Sequence, residues 1–234
     1  MRSRRALAAL SLVTTMSGAS PAWADGELAG WGAFLATQEL TSTTVGPSLW
    51  LDLHARSDEV SSTAIVRPGV GLRIQPWLSL WAGYAWTPGM RHGEDTRFDE
   101  HRAWSQVILQ HTFATGLSVQ SRTRFEHRFA EGSDEVAHRF RQFVRVGWNA
   151  PDVPLGVSVW NEVFVGFRGA EWGAEERYDQ HRLFVGAILR VAQWMRVEPG
   201  YLFVHLDRSP DRHVHAFAVN VFFTGRAPAP VDSE

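Results

Sequence analysis

From Leu49 to Phe223 the chain repeats one pattern, short segments in which apolar and polar residues alternate one for one. Leu78-Ser79-Leu80-Trp81-Ala82-Gly83-Tyr84 is such a segment, and Leu117-Ser118-Val119-Gln120-Ser121-Arg122-Thr123-Arg124-Phe125 is another. Successive side chains of a strand point to opposite faces, so each segment has one apolar face and one polar or cationic face. No helix-period stretch interrupts the series. The pattern predicts an all-β chain, a closed antiparallel transmembrane β-barrel of 10 to 12 strands.

Strands are expected near residues 31–39, 46–56, 63–74, 77–87, 99–113, 117–129, 138–148, 155–168, 179–191, 194–206 and 213–224. The connections alternate in length. Gln75-Pro76, Ala114 to Gly116 and Ala192-Gln193 are tight, whereas 57–62, 87–98, 130–137, 169–178 and 207–212 are longer and polar; Asn149 to Pro154 departs mildly from the trend. Outer-membrane barrels have short periplasmic turns and longer extracellular loops, which assigns a direction to every strand. Eleven segments sit awkwardly with the even strand numbers usual in bacterial barrels. Ten close neatly over 46–224, leaving 31–39 as an extra strand, a lumen insert or part of a twelve-strand closure.

The N-terminus reads as an export signal. Arg2, Arg4 and Arg5 precede an apolar run from Ala6 to Val13, and Ala22-Trp23-Ala24 has the A-x-A form of a cleavage site. The organisation expected is a signal peptide over 1–24, cleaved after Ala24, an N-terminal segment over 25–45 with room for an extra strand, a barrel over 46–224 and a disordered tail over 225–234. Removing three arginines takes the formal charge from −2 to −5, too mild to argue for nucleic acid. Cysteine is absent, which excludes a disulfide frame, thiolate chemistry and a lipoprotein anchor. Beyond residue 24 no apolar run approaches the roughly 20 residues a spanning helix needs, so a membrane location would require a barrel.

Parity divides the side chains. Leu51, Leu72, Leu80, Leu109, Val159, Val185 and Val221 share the apolar face. Arg67, Arg73, Arg102, Arg122, Arg124, Glu126, Arg141, Glu162, Arg182, Arg196 and Glu198 share the other and are the expected lumen-lining set. Within that face arginines outnumber Asp52, Glu126, Glu162 and Glu198 about threefold, and every basic residue of the chain is Arg. Trp81, Trp104 and Trp160 accompany the arginines, while Tyr84, Trp86, Trp148 and Tyr201 flank the apolar face, as at a membrane interface. Arg–carboxylate networks can simply fill a narrow barrel; surplus Arg beside water would make a pore that prefers anions.

Two strand starts repeat a motif, Phe98-Asp99-Glu100-His101-Arg102-Ala103-Trp104 and Tyr178-Asp179-Gln180-His181-Arg182-Leu183-Phe184. Ser121 to Phe129 follows the first, the Glu-bearing strand Trp160 to Phe164 precedes the second, and the chain closes on Val197-Glu198-Pro199-Gly200-Tyr201 and Phe217 to Phe223. Over approximately residues 31 to 224 this series resembles the bacterial family of domain of unknown function 2490. The resemblance implies an exported outer-membrane barrel and supplies no catalytic residue.

Catalytic motifs are absent. There is no G-x-S-x-G elbow, phosphate loop, H-E-x-x-H or Ca²⁺ loop, and Gly69-Val70-Gly71 reads as a bend or close packing within a strand. Ser105 and His101 share a face, but four residues of strand exceed about 12 Å. No metal or cofactor is expected. The histidines form the one suggestive set: His54, His101, His127, His138, His181, His205 and His213 should ring the extracellular rim, mostly on the lipid side, with His54 the exception. Such a girdle would meet lipopolysaccharide phosphates; His213 and His215 alone are too few for a typical metal site. The expected setting is the bacterial outer membrane, as a monomer, with lipid and lipopolysaccharide as neighbours and the barrel-assembly machinery as biogenesis partner. A lipid-modifying surface enzyme of the lipase or deacylase class and a soluble periplasmic β-sandwich binding module are the alternatives.

Overall fold

The computed structural model describes residues 26–93, 97–150 and 153–227. The expected signal peptide, its cleavage point, the loop acids Glu94 and Asp95 and residues 228–234 of the tail lie outside that set. Eleven strands follow one another: β1 (Glu27–Glu39), β2 (Gly46–Ser57), β3 (Ser61–Gln75), β4 (Leu78–Arg91), β5 (Arg97–Thr112), β6 (Leu117–Ala130), β7 (Val136–Asn149), β8 (Leu155–Arg168), β9 (Arg177–Ala192), β10 (Met195–Leu206) and β11 (Arg212–Gly225). Each pairs with its sequence neighbours, and β1 pairs with β11 to close the barrel.

The closing seam is parallel, from Glu27 opposite Val214 to Gln38 opposite Gly225. Every other seam is antiparallel, as expected of an 11-strand barrel within the range of 10 to 12, and the reason for the one exception is arithmetic. A chain that reverses at every connection points its first and eleventh strands the same way, so an odd number can close only in parallel. The segment expected at 31–39 is therefore the extra strand, which closes the ring at eleven, and neither a lumen insert nor part of a twelve-strand closure. It begins at Glu27 and bonds on both sides, to β11 and to β2.

The strands also reach further than the alternation suggested. β4 runs to Arg91 and β5 starts at Arg97, so the long connection expected over 87–98 shrinks to residues 92–96. Pro88 and Gly89 break the polarity pattern but stay in register with Asp99 and Phe98. One end of the barrel carries connections 58–60, 92–96, 131–135, 169–176 and 207–211. The other carries 40–45, 76–77, 113–116, 150–154 and 193–194. The difference in length is softer than the sequence implied, because residues read as loop complete the ladders.

Parity sorts the faces as in any strand. Leu51, Leu72, Leu80, Leu109, Val159 and Val185 are exposed on the outside, and Val221 shares their side half-buried. Trp77, Trp148 and Trp194 are exposed near one end, and Tyr84, Trp86 and Tyr201 in the other half. The inside holds two apolar clusters. Trp50, Ile65, Trp81, Ala85, Trp104 and Ile108 form one; Phe184, Leu202, Val204, Val214, Ala216 and Ala218 form the other. Gly69 and Gly83 face each other across β3–β4 because the Trp104 ring lies over both, and an added Cβ would sit 2.6 Å from that ring at either position. Gly186 and Gly200 repeat the arrangement under Phe184.

Candidate functional site in the barrel interior

β5 to β9 turn a row of charges inward. Two glutamates and an aspartate, spaced by arginines, make a continuous chain: Asp179, Arg139, Glu126, Arg141, Glu162, Arg122. Arg139 donates to Asp179 at 3.0 Å and to Glu126 at 2.6 Å. Arg141 donates to Glu126 at 2.7 Å and to Glu162 at 2.8 Å. Arg122 donates to Glu162 at 2.8 Å. Arg124 and Glu126 are wholly buried. Arg124 gives two hydrogen bonds to neutral Gln106, at 2.8 and 2.6 Å, and stacks on Trp104. Buried charges need such partners, since an isolated one costs several kcal/mol.

Three guanidinium groups, those of Arg139, Arg141 and Arg182, surround the Phe164 ring at 4.3 to 5.2 Å from its centroid. At the end carrying connections 92–96 and 169–176, Glu100 binds both Arg102 and Arg128, and Arg208 reaches Asp179 at 2.9 Å. Trp172, from connection 169–176, covers the Arg128 guanidinium. This end of the interior is occupied by side chains.

Towards the opposite end the interior opens. A cavity of about 280 Å³ runs from the rim residues Gln75, Gln110, Gln120 and Thr224 past Arg67 at mid-barrel to Trp31 and His54 in the far half. Near its mouth Arg145 and Arg196 share a single carboxylate oxygen of Glu198, at 2.7 and 2.8 Å. Deeper, Asp52 holds Arg67 and, at 2.6 Å, His54.

The expected lumen-lining residues take these places. Arg67, Arg102, Arg122, Arg124, Glu126, Arg141, Glu162, Arg182, Arg196 and Glu198 point inward. Arg73 belongs to the rim, paired with Glu39 and donating to the Thr44 carbonyl at 3.0 Å. Sequence reasoning missed Glu100 and Asp179 as lumen carboxylates. Both lie in the repeated Asp-Glu/Gln-His-Arg motif, in which parity with the inward Arg102 and Arg182 marks Glu100 and Gln180. Asp179 departs from that parity beside a register shift of β8–β9 at Phe164/Val165. With both counted, the inward arginines (Arg56, Arg67, Arg102, Arg122, Arg124, Arg128, Arg139, Arg141, Arg145, Arg182, Arg196) face six carboxylates. That corrects the threefold excess to eleven against six. Arg56 has no carboxylate within ion-pair distance among the described residues and lies over Trp31 instead.

Nine of the ten histidines lie at the end of the barrel with connections 58–60 and 207–211, called here the histidine end; His111 is at the other. His101, His127, His138, His181, His205 and His213 project outward, whereas His54 points inward. The outward rings contact one another and nearby tyrosines: His127 Nδ1 to His138 Nδ1 at 2.9 Å, Tyr178 to His205 at 3.0 Å, and His205 stacked on His213. Among the described residues no three His, Asp or Glu side chains converge as a metal-binding set. Ser105 and His101 are not brought together; His101 bonds Tyr84, and Ser105 lies opposite Ala82 and Phe125. A serine–histidine contact does form elsewhere, between Ser62 Oγ and His92 Nε2 at 2.8 Å.

The geometry defines the class, a closed eleven-strand β-barrel with an ionic interior. A family model described as a protein of unknown function, DUF2490, matches residues 29–215, and the chain belongs to that family. An uncharacterised protein of Methylorubrum extorquens strain AM1 is 32% identical over 140 residues, 59% of this chain and 61% of the relative. The chain thus spans about three fifths of that relative's length. No solved structure matches the chain.

Proposed function

We propose that this protein is an outer-membrane barrel that rests shut at the histidine end and open, as a cationic basin, at the other. The observation that carries the reading is the inversion of polarity. Val70, Val157, Val185, Val191 and Phe217 are each more than half exposed on the outside, while Arg67, Arg124, Glu126 and Glu198 are buried within. Soluble proteins rarely expose apolar area of that extent, and a lipid-embedded barrel requires it. Indole and phenol groups near both ends fit the two membrane interfaces. The side chains of Glu100, Arg102, Arg128, Asp179 and Arg208, with Trp172 over Arg128, occupy the interior at the histidine end, which argues for a receptor of anions from one side over a standing anion-preferring pore.

The test is expression of the full chain in a Gram-negative host, followed by fractionation and reconstitution. The protein should remain with outer membranes after urea or carbonate washing, change its electrophoretic mobility on boiling, and give no steady conductance in planar bilayers. Recovery in the osmotic-shock fluid would remove the membrane reading. A steady anion-selective current would replace the shut barrel by the pore.

One contact favours a second reading. His92 Nδ1 lies 3.3 Å from the Glu59 carbonyl, a geometry that leaves Nε2 free to accept from the Ser62 hydroxyl, on the outward face. A lipid esterase built on this dyad should label with a fluorophosphonate, and Ser62→Ala should abolish labelling. Absence of labelling in the wild type removes it.

A further inference from the structure

We infer that the basin is a binding site for a small organic anion, a carboxylate or phosphate monoester carried on an apolar body. The inference rests on the shut-barrel reading only for which side the ligand enters. Six arginines line the cavity, Arg67, Arg122, Arg141, Arg145, Arg182 and Arg196, and apart from the rim pair of Glu39 with Arg73 the carboxylates in its wall are Asp52 and Glu162. Glu198 adds one more acceptor behind the wall.

Two features make this a built site and not merely a charged surface. First, the guanidinium groups at the mouth are crowded onto one acceptor. Arg145 and Arg196 share Glu198 Oε1, and Arg196 uses only its Nε there, with its side chain 35% exposed. A guanidinium carries five N–H donors in a planar fork, so this pair presents unused donors to whatever enters. The surplus positive charge is held close by the closed barrel, which brings β7 and β10 to the same mouth, and a bound anion would relieve it. Second, the walls between these cations are aromatic. Phe222 lies under Arg196 at 4.0 Å, Phe143 under Arg122 at 4.5 Å, and Trp81 and Trp160 line the same space. An inorganic ion would leave that apolar area wet. An anionic head at Arg145 and Arg196, with an apolar body against Trp81, Phe143 and Trp160, satisfies both features. The volume, about 280 Å³, lies near the lower end of the range for small-molecule pockets, roughly 300 to 1,000 Å³.

The test uses the whole protein in nanodiscs of zwitterionic lipid, with empty nanodiscs as the blank, and equilibrium dialysis of 2-naphthoate, 2-naphthyl phosphate, uncharged 2-naphthol and inorganic phosphate. At least one naphthyl anion should bind ten-fold or more tightly than naphthol and than inorganic phosphate, and raising salt from 50 to 500 mM should weaken it. Which anion wins identifies the head group. Arg196→Gln should weaken binding about ten-fold. Asn220→Trp keeps every charge and narrows the cavity it lines, and should also abolish binding. Should Arg196→Gln fail to fold, judged by heat-modifiable mobility, the salt series and Asn220→Trp decide. Naphthol binding as tightly as both anions, or an unchanged affinity in Asn220→Trp, overturns the site. Membrane insertion and conductance are read on the same preparations, so loss of the ligand site leaves the barrel reading standing, and the converse.

Discussion

β6–β7 and β10–β11 are both ordinary antiparallel hairpins with apolar outward faces, yet their inward faces are opposites. β6–β7 turns Arg122, Arg124, Glu126, Arg128, Arg139, Arg141 and Arg145 inside. β10–β11 turns in Leu202, Val204, Val214, Ala216 and Ala218. In the circular strand order β8 and β9 part the two hairpins on one side and β1 to β5 on the other, so they make separate stretches of wall around one lumen. Long charged side chains fill the first stretch, and short apolar ones the second, from Leu202 to Ala218, with Arg196 and Glu198 at its open end. The lesson is that this interior is specified by complementary length and by satisfied charge, since polarity alone would call one wall a lumen and the other a core.

The largest effect should come from the ionic wall. Glu126→Gln removes the carboxylate shared by Arg139 and Arg141, and leaving buried charges uncompensated costs about 3–5 kcal/mol. Urea unfolding in micelles, read by electrophoretic mobility, checks it; a loss under about 1 kcal/mol would mean the arginines find other acceptors or water. Leu202→Ala, in the apolar wall and 1% exposed, should cost about 2–4 kcal/mol by the same assay. Its cost should not vary with salt. If it exceeds that of Glu126→Gln, the contrast between the walls is one of packing and not of charge.

The seam offers a smaller effect. Arg212 donates to Glu27 at 2.7 Å where β11 begins, and the pair is part-exposed. Arg212→Gln should cost about 1 kcal/mol or less, and the difference should fade in high salt. A larger, salt-independent loss would make this pair a clasp for the parallel closure.

The smallest expected effect concerns the outward histidines. We propose that the histidine end meets lipopolysaccharide phosphates. Association of the reconstituted barrel with lipopolysaccharide should tighten severalfold as pH falls below about 6.5, where ordinary imidazoles gain charge. His101→Gln with His181→Gln should flatten that dependence. Equal association of the wild type at pH 5.5 and 7.5 would sink the idea.

Much of this was legible because strands encode their faces one residue at a time. Parity alone separated Leu72 and Leu80 from Arg67 and Arg124, and the outward His101 and His181 from the inward Arg102 and Arg182. It could not choose partners. Glu162 serves Arg122 and Arg141 because neighbouring strands bring them together, at separations of 40 and 21 residues. On β10–β11 the contrast is weak, since the inward Leu202, Val204 and Ala216 stand beside the outward Tyr201, Phe203 and Phe217. Asp179 escaped because a register shift reverses local parity. Eleven segments are visible in the pattern, but the even strand numbers usual in bacterial barrels argue against closing on all of them, and Glu27 to Gly32 carries too little contrast to announce the start of a closing strand.

The parallel seam has a consequence for topology in the cell. In a barrel with an even number of strands both chain ends emerge on the same side of the membrane. Here Glu27 lies at the histidine end and Gly225 at the other, so in the membrane placement proposed above the two ends of the sheet are addresses on opposite sides. An epitope inserted just before Glu27 and one just after Gly225 should never be reached by the same impermeant antibody. No short peptide could join the two ends to make a circular permutant, for such a tether would have to travel the height of the barrel. In that placement, whatever is fused before Glu27 is committed to one compartment, and whatever follows Gly225 to its neighbour.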